Sequence, residues 1–126
     1  MEDMPIFSKD TYLGDSMDGA RFMLFRESSS GRGIVRITES TREKHRDIIE
    51  RFYRDEDPNR EYEILGGGFW EFEPENPDEG FERDYVWFGS SSADYGRFND
   101  SLLETTLQSK SRVFDWEIIK DPLRIR

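Results

Sequence analysis

Val86-Trp87-Phe88 places three large apolar residues in a row, in a chain of which 37% is charged. Successive side chains of a strand point to opposite faces, so a strand built this way needs cover on both sides. Layers on both faces of one sheet meet that demand, and the rest of the sequence supplies candidates for them.

Two segments have helical spacing. The first begins near Ser40, where Ser40 and Glu43 have the spacing of a capping box, and continues through an apolar stripe of Ile48, Ile49, Phe52 and Tyr53. Proline and charge end it at Arg54-Asp55-Glu56-Asp57-Pro58. The second lies between about Arg97 and Gln108, with Phe98, Leu102, Leu103 and Leu107 turned inward and capping-box spacing again at Ser101 and Glu104. Around these lie six short strand signals: Phe22–Arg26, Gly33–Ile37, Tyr62–Leu65, Phe69–Glu73, Tyr85–Gly89 and Val113–Ile119. Gly66-Gly67-Gly68 reads either as a bend between two strands or as a bulge. The acidic, Pro- and Gly-containing stretch from Glu73 to Arg83 reads as a hairpin loop. The expectation is an α/β fold: a single mixed β-sheet of about six strands with one main α-helix on each face. Residues 1–126 form one domain in this reading, with 1–14 and 122–126 as flexible tails.

Composition narrows the chemistry. There is no cysteine and one histidine, His45, which leaves little for a disulfide framework, a thiolate nucleophile or a zinc site. No apolar run approaches the ~20 residues of a membrane span, and the N-terminus has no signal-peptide profile. The expected protein is cytoplasmic and monomeric, without a membrane partner. A formal net charge of −10 argues against nucleic acid as a partner. That charge is uneven, because Arg21 to Arg46 holds seven Lys or Arg against three Glu, a place where a phosphate can land.

His45 lies three, four and seven residues before Ile48, Ile49 and Phe52, and on spacing alone a core histidine is the better reading. Its place near a helix start, where free N–H groups and the positive dipole end favour an anion, supports chemistry instead. A neutral imidazole beside a phosphate can attack phosphorus or deprotonate water. Nearby arginines and the dipole should hold its pKa below the ~6.5 of a free histidine. Gly89-Ser90-Ser91-Ser92-Ala93-Asp94-Tyr95-Gly96 follows a strand signal and precedes a helix. It reads as an oxyanion loop or as an ordinary turn, and it matches neither the P-loop nor the dinucleotide fingerprint. No nucleophile elbow appears, and nothing singles out a catalytic carboxylate pair among 28 acidic residues.

Several of these pieces, in order, resemble the phosphohistidine phosphatase (Janus/Ocnus) family. Asp18-Gly19 with Arg21–Arg26 looks like its first strand, and Gly33-Ile34-Val35-Arg36 like its second. Lys44-His45-Arg46-Asp47-Ile48 is similar to the segment carrying the family's histidine. Leu65-Gly66-Gly67-Gly68 matches its glycine motif, Gly89-Ser90-Ser91 with Tyr95-Gly96 looks like its phosphate loop, and Phe114-Asp115-Trp116 fits its closing strand. The resemblance implies removal of phosphate from protein histidine side chains, with no metal and no cofactor. His45 would be nucleophile or general base, Arg36 would orient its ring, and Arg21 would contact phosphate. Ser91, with the backbone through Ser92 and Ala93, would cradle the phosphate oxygens. The implied partner is a phosphohistidine-containing protein or a small phosphoramidate. The chain departs from the pattern at Phe69 and Lys44, where the family has a basic and an aromatic residue. It also has an extra residue before His45, another near Asp94, and a longer acidic hairpin over 71–84. These departures keep open an alternative: a phosphate- or protein-binding module of the same fold, without turnover.

Overall fold

The computed structural model describes residues 4–13, 20–110 and 114–120. Asp18-Gly19, Val113 and the expected tail at 122–126 lie outside them. Five strands form one mixed sheet in the order β2-β1-β3-β4-β5, where β1 is Arg21–Glu27, β2 Gly33–Ile37, β3 Tyr62–Glu73, β4 Asp84–Gly89 and β5 Phe114–Ile118. Helices α1 (His45–Asp55) and α2 (Asp100–Lys110) lie on opposite faces. The α/β architecture is as expected, with one strand fewer.

The missing strand boundary is at the glycines. The segments expected over Tyr62–Leu65 and Phe69–Glu73 are one strand, which runs through Gly66–Gly68 and shifts register against β1 between Met23 and Phe25. Gly66 sits at φ +92°, and a Cβ there would stand 2.3 Å from the Arg97 carbonyl oxygen. A bulge at glycine kinks the strand without ending it. The first four strands are joined antiparallel. β4 and β5 are parallel, a pairing that needs a crossover, and α2 is that crossover.

α1 begins at His45, five residues later than the Ser40 signal. Glu43, the expected box partner, instead accepts from the Glu39 N–H and binds Arg51. Asp47 Oδ2 accepts the Lys44 N–H at 2.8 Å, so the reciprocal half of a cap forms one turn further on. His45, Ile48, Ile49 and Phe52 are buried, while Tyr53, expected in the stripe, is 46% exposed. The stripe seats on Met23, Phe25 and Ile34, with the Phe25 and Phe52 rings stacked at 3.9 Å. Full burial of Ile48 or Phe52 contributes roughly 1.5–3 kcal/mol each. α2 starts at Asp100, and its cap is Asn99, whose Oδ1 accepts the Leu102 N–H at 3.0 Å. Leu103 and Leu107 then bury against Phe22, Leu24 and Val35 on the other face.

Two expectations need correction. Residues 4–13 are no free tail, because Phe7 is buried with its ring 5.0 Å from Trp70 and 5.3 Å from Phe88. The two-sided cover expected at Val86-Trp87-Phe88 is uneven. Val86 and Phe88 are fully buried, but Trp87 is only half-buried beneath Phe81 and Tyr85. α1 packs on β1 and β2, so the layer over that face stops short of β4. Among the described residues, no helix is long and apolar enough to cross a membrane.

Candidate active site around His45

His45 is the first residue of α1 and is 7% exposed. Its ring rests on the glycine segment of β3, where a Cβ at Gly67 would stand 2.9 Å from His45 Cδ2. Nε2 lies 2.9 Å from the Gly68 carbonyl oxygen. A carbonyl oxygen only accepts, so Nε2 carries the hydrogen and Nδ1 of the neutral ring keeps its lone pair. No partner for Nδ1 occurs among the described residues, nor is it among their buried unpartnered side-chain atoms.

Arg21 stands beside it. The first residue of β1 pairs with Phe69 across the sheet, on the face that α1 covers. Its guanidinium donates to the Glu43 carbonyl at 3.2 Å and lies 5.4 Å from the Phe69 ring centroid. The same Phe69 ring meets the His45 ring edge-on at 5.5 Å. Phe69, where the resembling family has a basic residue, therefore sets an apolar ring against both the imidazole and the guanidinium.

Burial is the main reason the His45 pKa lies below its ordinary value, and the Arg21 charge pushes the same way. The Gly68 carbonyl and the Asp94 carboxylate oppose them. The downward direction matches expectation, but desolvation leads rather than the cluster of arginines. Much of that cluster is engaged elsewhere: Arg26 with Glu63, Arg32 with Glu27 and Arg36 with Glu56.

The 89–97 loop is tied to the same glycines. The Ser92 N–H donates to the Gly67 carbonyl at 3.1 Å, and the Gly67 N–H to the Gly96 carbonyl at 3.1 Å. Arg97 locks the base of the loop through the Ser90 and Ile119 carbonyls and Asp100. Gly67 thus anchors the loop while lying beneath the histidine ring, and Asp94 falls within electrostatic reach of that ring. Ser90 at φ +62° makes the turn out of β4.

The expected site residues divide accordingly. His45, Arg21 and the loop carrying Ser91 and Ala93 come together, and the Ser91, Ala93 and Asp94 N–H groups have no acceptor among the described residues. Ser92 does not offer a phosphate contact. It is 3% exposed, its N–H is spent on Gly67 and Gly96, and its Oγ accepts the Tyr95 N–H at 3.2 Å. Arg36 does not hold the imidazole. Its guanidinium reaches Glu56 at 3.2 Å, the Val35 carbonyl at 2.9 Å and the Phe52 ring, at the far end of α1. The orienting group is the Gly68 carbonyl, which spacing could not reveal because it is backbone. Its one sequence signal is a glycine run inside a strand, where close approach is possible. No group of three or more His, Asp or Glu among the described residues is arranged to hold a metal ion. The sequence matches no protein-family model, and no curated protein is similar to it at a significant level.

Proposed function

We propose that the chain is a metal-independent phosphatase acting on phosphohistidine, with His45 Nδ1 as the reacting nitrogen. The observation that carries this reading is the Nε2–Gly68 contact, which fixes the tautomer and leaves a lone pair on Nδ1. Burial favours the unprotonated ring that either role requires. As nucleophile, Nδ1 bonds to phosphorus while the P–N bond breaks. The substrate imidazole, protonated on its other nitrogen, leaves neutral, and water then cleaves the phosphorylated His45. As general base, Nδ1 takes a proton from the water that attacks phosphorus. Arg21, the unpaired amides of Ser91, Ala93 and Asp94, and the start of α1 would neutralise the phosphoryl oxygens in either case. The resemblance of the motif order to the phosphohistidine phosphatases supports this substrate class, and phospholysine or phosphoarginine would use the same chemistry. A cytoplasmic location is part of the same proposal.

A second reading, a phosphate-binding module without turnover, is favoured by Phe69, which stands where a second cation would be. Phosphate release from a phosphohistidine peptide, measured in EDTA, separates the two. The wild type should turn over, and both His45→Asn and His45→Ala should lose about 10²–10⁴-fold in rate. Circular dichroism checks the fold, since removing the ring takes away one hydrogen-bond partner of the Gly68 carbonyl and empties the space beneath the first turn of α1. A folded wild type that binds phosphate but releases none from the peptide would establish the module instead.

A further inference from the structure

The sheet face under His45 extends well past the helix that covers part of it. From Phe69, alternate residues of β3 on that face are Glu71 and Glu73, directly opposite Trp87 and Tyr85 of β4. Glu117 and Asp115 of β5 stand beside them in turn. The result is two cross-sheet rows, Glu71–Trp87–Glu117 and Glu73–Tyr85–Asp115, each an aromatic ring between two carboxylates. Phe81 folds back from the hairpin through an Asn76–Phe81 bridge and sets its ring 6.2 Å from Trp87. Trp87, Tyr85 and Phe81 remain half-buried, and α1 packs over β1 and β2 instead.

We propose that this face docks a Lys- and Arg-rich segment of a partner protein. The charge pattern specifies the occupant. The Glu71 and Glu73 carboxylates have no partner among the described residues, while Glu117 accepts from the Tyr85 hydroxyl at 3.4 Å. One corner already accepts a guanidinium: Arg83 reaches Asp115 at 3.4 Å, with both side chains about half exposed. Ring faces between carboxylates suit further cations, which stack on the rings and pair with the acids at their edges. An acidic or neutral segment would leave this charge uncompensated, and a bare apolar one would meet too many carboxylates. Glu71 and Glu73 lie two and four residues beyond Phe69, about 7 and 13 Å along the strand. A docked segment therefore runs toward the imidazole, although the surface does not depend on turnover there.

The test is fluorescence anisotropy of a labelled peptide alternating Arg with Gly and Ser, at physiological ionic strength, against the full chain. A peptide with Glu in place of Arg serves as control. The Arg peptide should bind, and Glu71→Gln with Glu117→Gln should weaken it at least about fivefold. Removing the same charge from the outer face of α1, by Glu50→Gln with Asp55→Asn, should change binding less than about twofold. Equal losses from the two pairs would mean that net charge alone attracts the peptide and would overturn the proposal, as would equal binding of the Glu peptide. His45→Asn should bind like wild type, so the surface stands or falls separately from the phosphatase reading.

Discussion

Helix α1 buries one titratable side chain at each end, and the two ends are completed differently. At its C-terminus Glu56, 8% exposed, meets Arg36 at 3.2 Å and the Tyr62 hydroxyl at 3.4 Å. At its N-terminus His45, 7% exposed, has one ring nitrogen held by a carbonyl and the other without a partner among the described residues. Burial without full pairing costs free energy, so the two ends are not interchangeable. The Glu56 end is arranged as a structural tie, whereas the His45 end keeps one acceptor open near an arginine and a loop of unpaired amides. This contrast, rather than the degree of burial, distinguishes a core polar group from a chemically usable one.

The contrast breaks most sharply at Gly67. A Cβ there would stand 2.5 Å from Met23 Sδ, 2.6 Å from the Phe22 carbonyl oxygen and 2.9 Å from His45 Cδ2. Neither the backbone of β1 nor the first turn of α1 can give way freely. Gly67→Ala should therefore destabilise the fold by about 1–3 kcal/mol. It should also cost on the order of 10² in phosphohistidine turnover, since a misplacement of about 1 Å is enough for that. Urea unfolding and phosphate release measure the two effects. Turnover within a few-fold of wild type would mean that the ring need not rest where it does.

The opposite end should respond the opposite way. Arg36→Met keeps much of the stem that lies on Phe52 but strips Glu56 of its cation. Removing one partner of a buried pair should cost about 3 kcal/mol in urea unfolding. Turnover of the folded fraction should stay within about twofold of wild type, because Arg36 does not touch the imidazole. Replacing Glu56 as well, by Arg36→Met with Glu56→Leu, should recover much of the loss. A large drop in turnover with little change in stability would restore Arg36 to the orienting role that the sequence resemblance implied.

These cases also show what the sequence could disclose. The apolar faces of α1 and α2 were legible, because side-chain periodicity records which face is buried, whereas the parallel pairing that makes α2 a crossover was not. The helix starts were not. Ser40 with Glu43 and Ser101 with Glu104 have capping spacing, yet Glu43 is taken by Arg51 and the second helix is capped by Asn99. Spacing states which caps are possible, and tertiary partners choose among them. His45 and Arg21 stood out by chemistry and order. The part played by Gly68 lies in a main-chain oxygen, and Arg36 was misread because an arginine's reach exceeds what strand register specifies. Ser92 looked like a ligand residue and is a fastening one, a difference decided by which way its N–H points.

The smallest expected effect concerns Asp94, and it tests the open end of the helix by charge alone. Burial and Arg21 make the folded imidazole bind its proton more weakly than it does in the unfolded chain. Folding stability should accordingly fall as pH drops below ~6.5 toward the lower folded pKa. Turnover should fall on the same side, since protonation removes the Nδ1 lone pair, and the acid limb should have its midpoint below ~6.5. Asp94 works against this shift, because its carboxylate favours the protonated ring. Asp94→Asn should therefore move the acid limb of kcat/KM to lower pH. The side chain is exposed, so solvent weakens the interaction and the displacement should be the smallest of these effects. The displacement should be largest at low salt and shrink as ions screen the pair. A limb that moves upward, or does not move even at low ionic strength, would place the titrating group away from this loop and remove the electrostatic argument for His45.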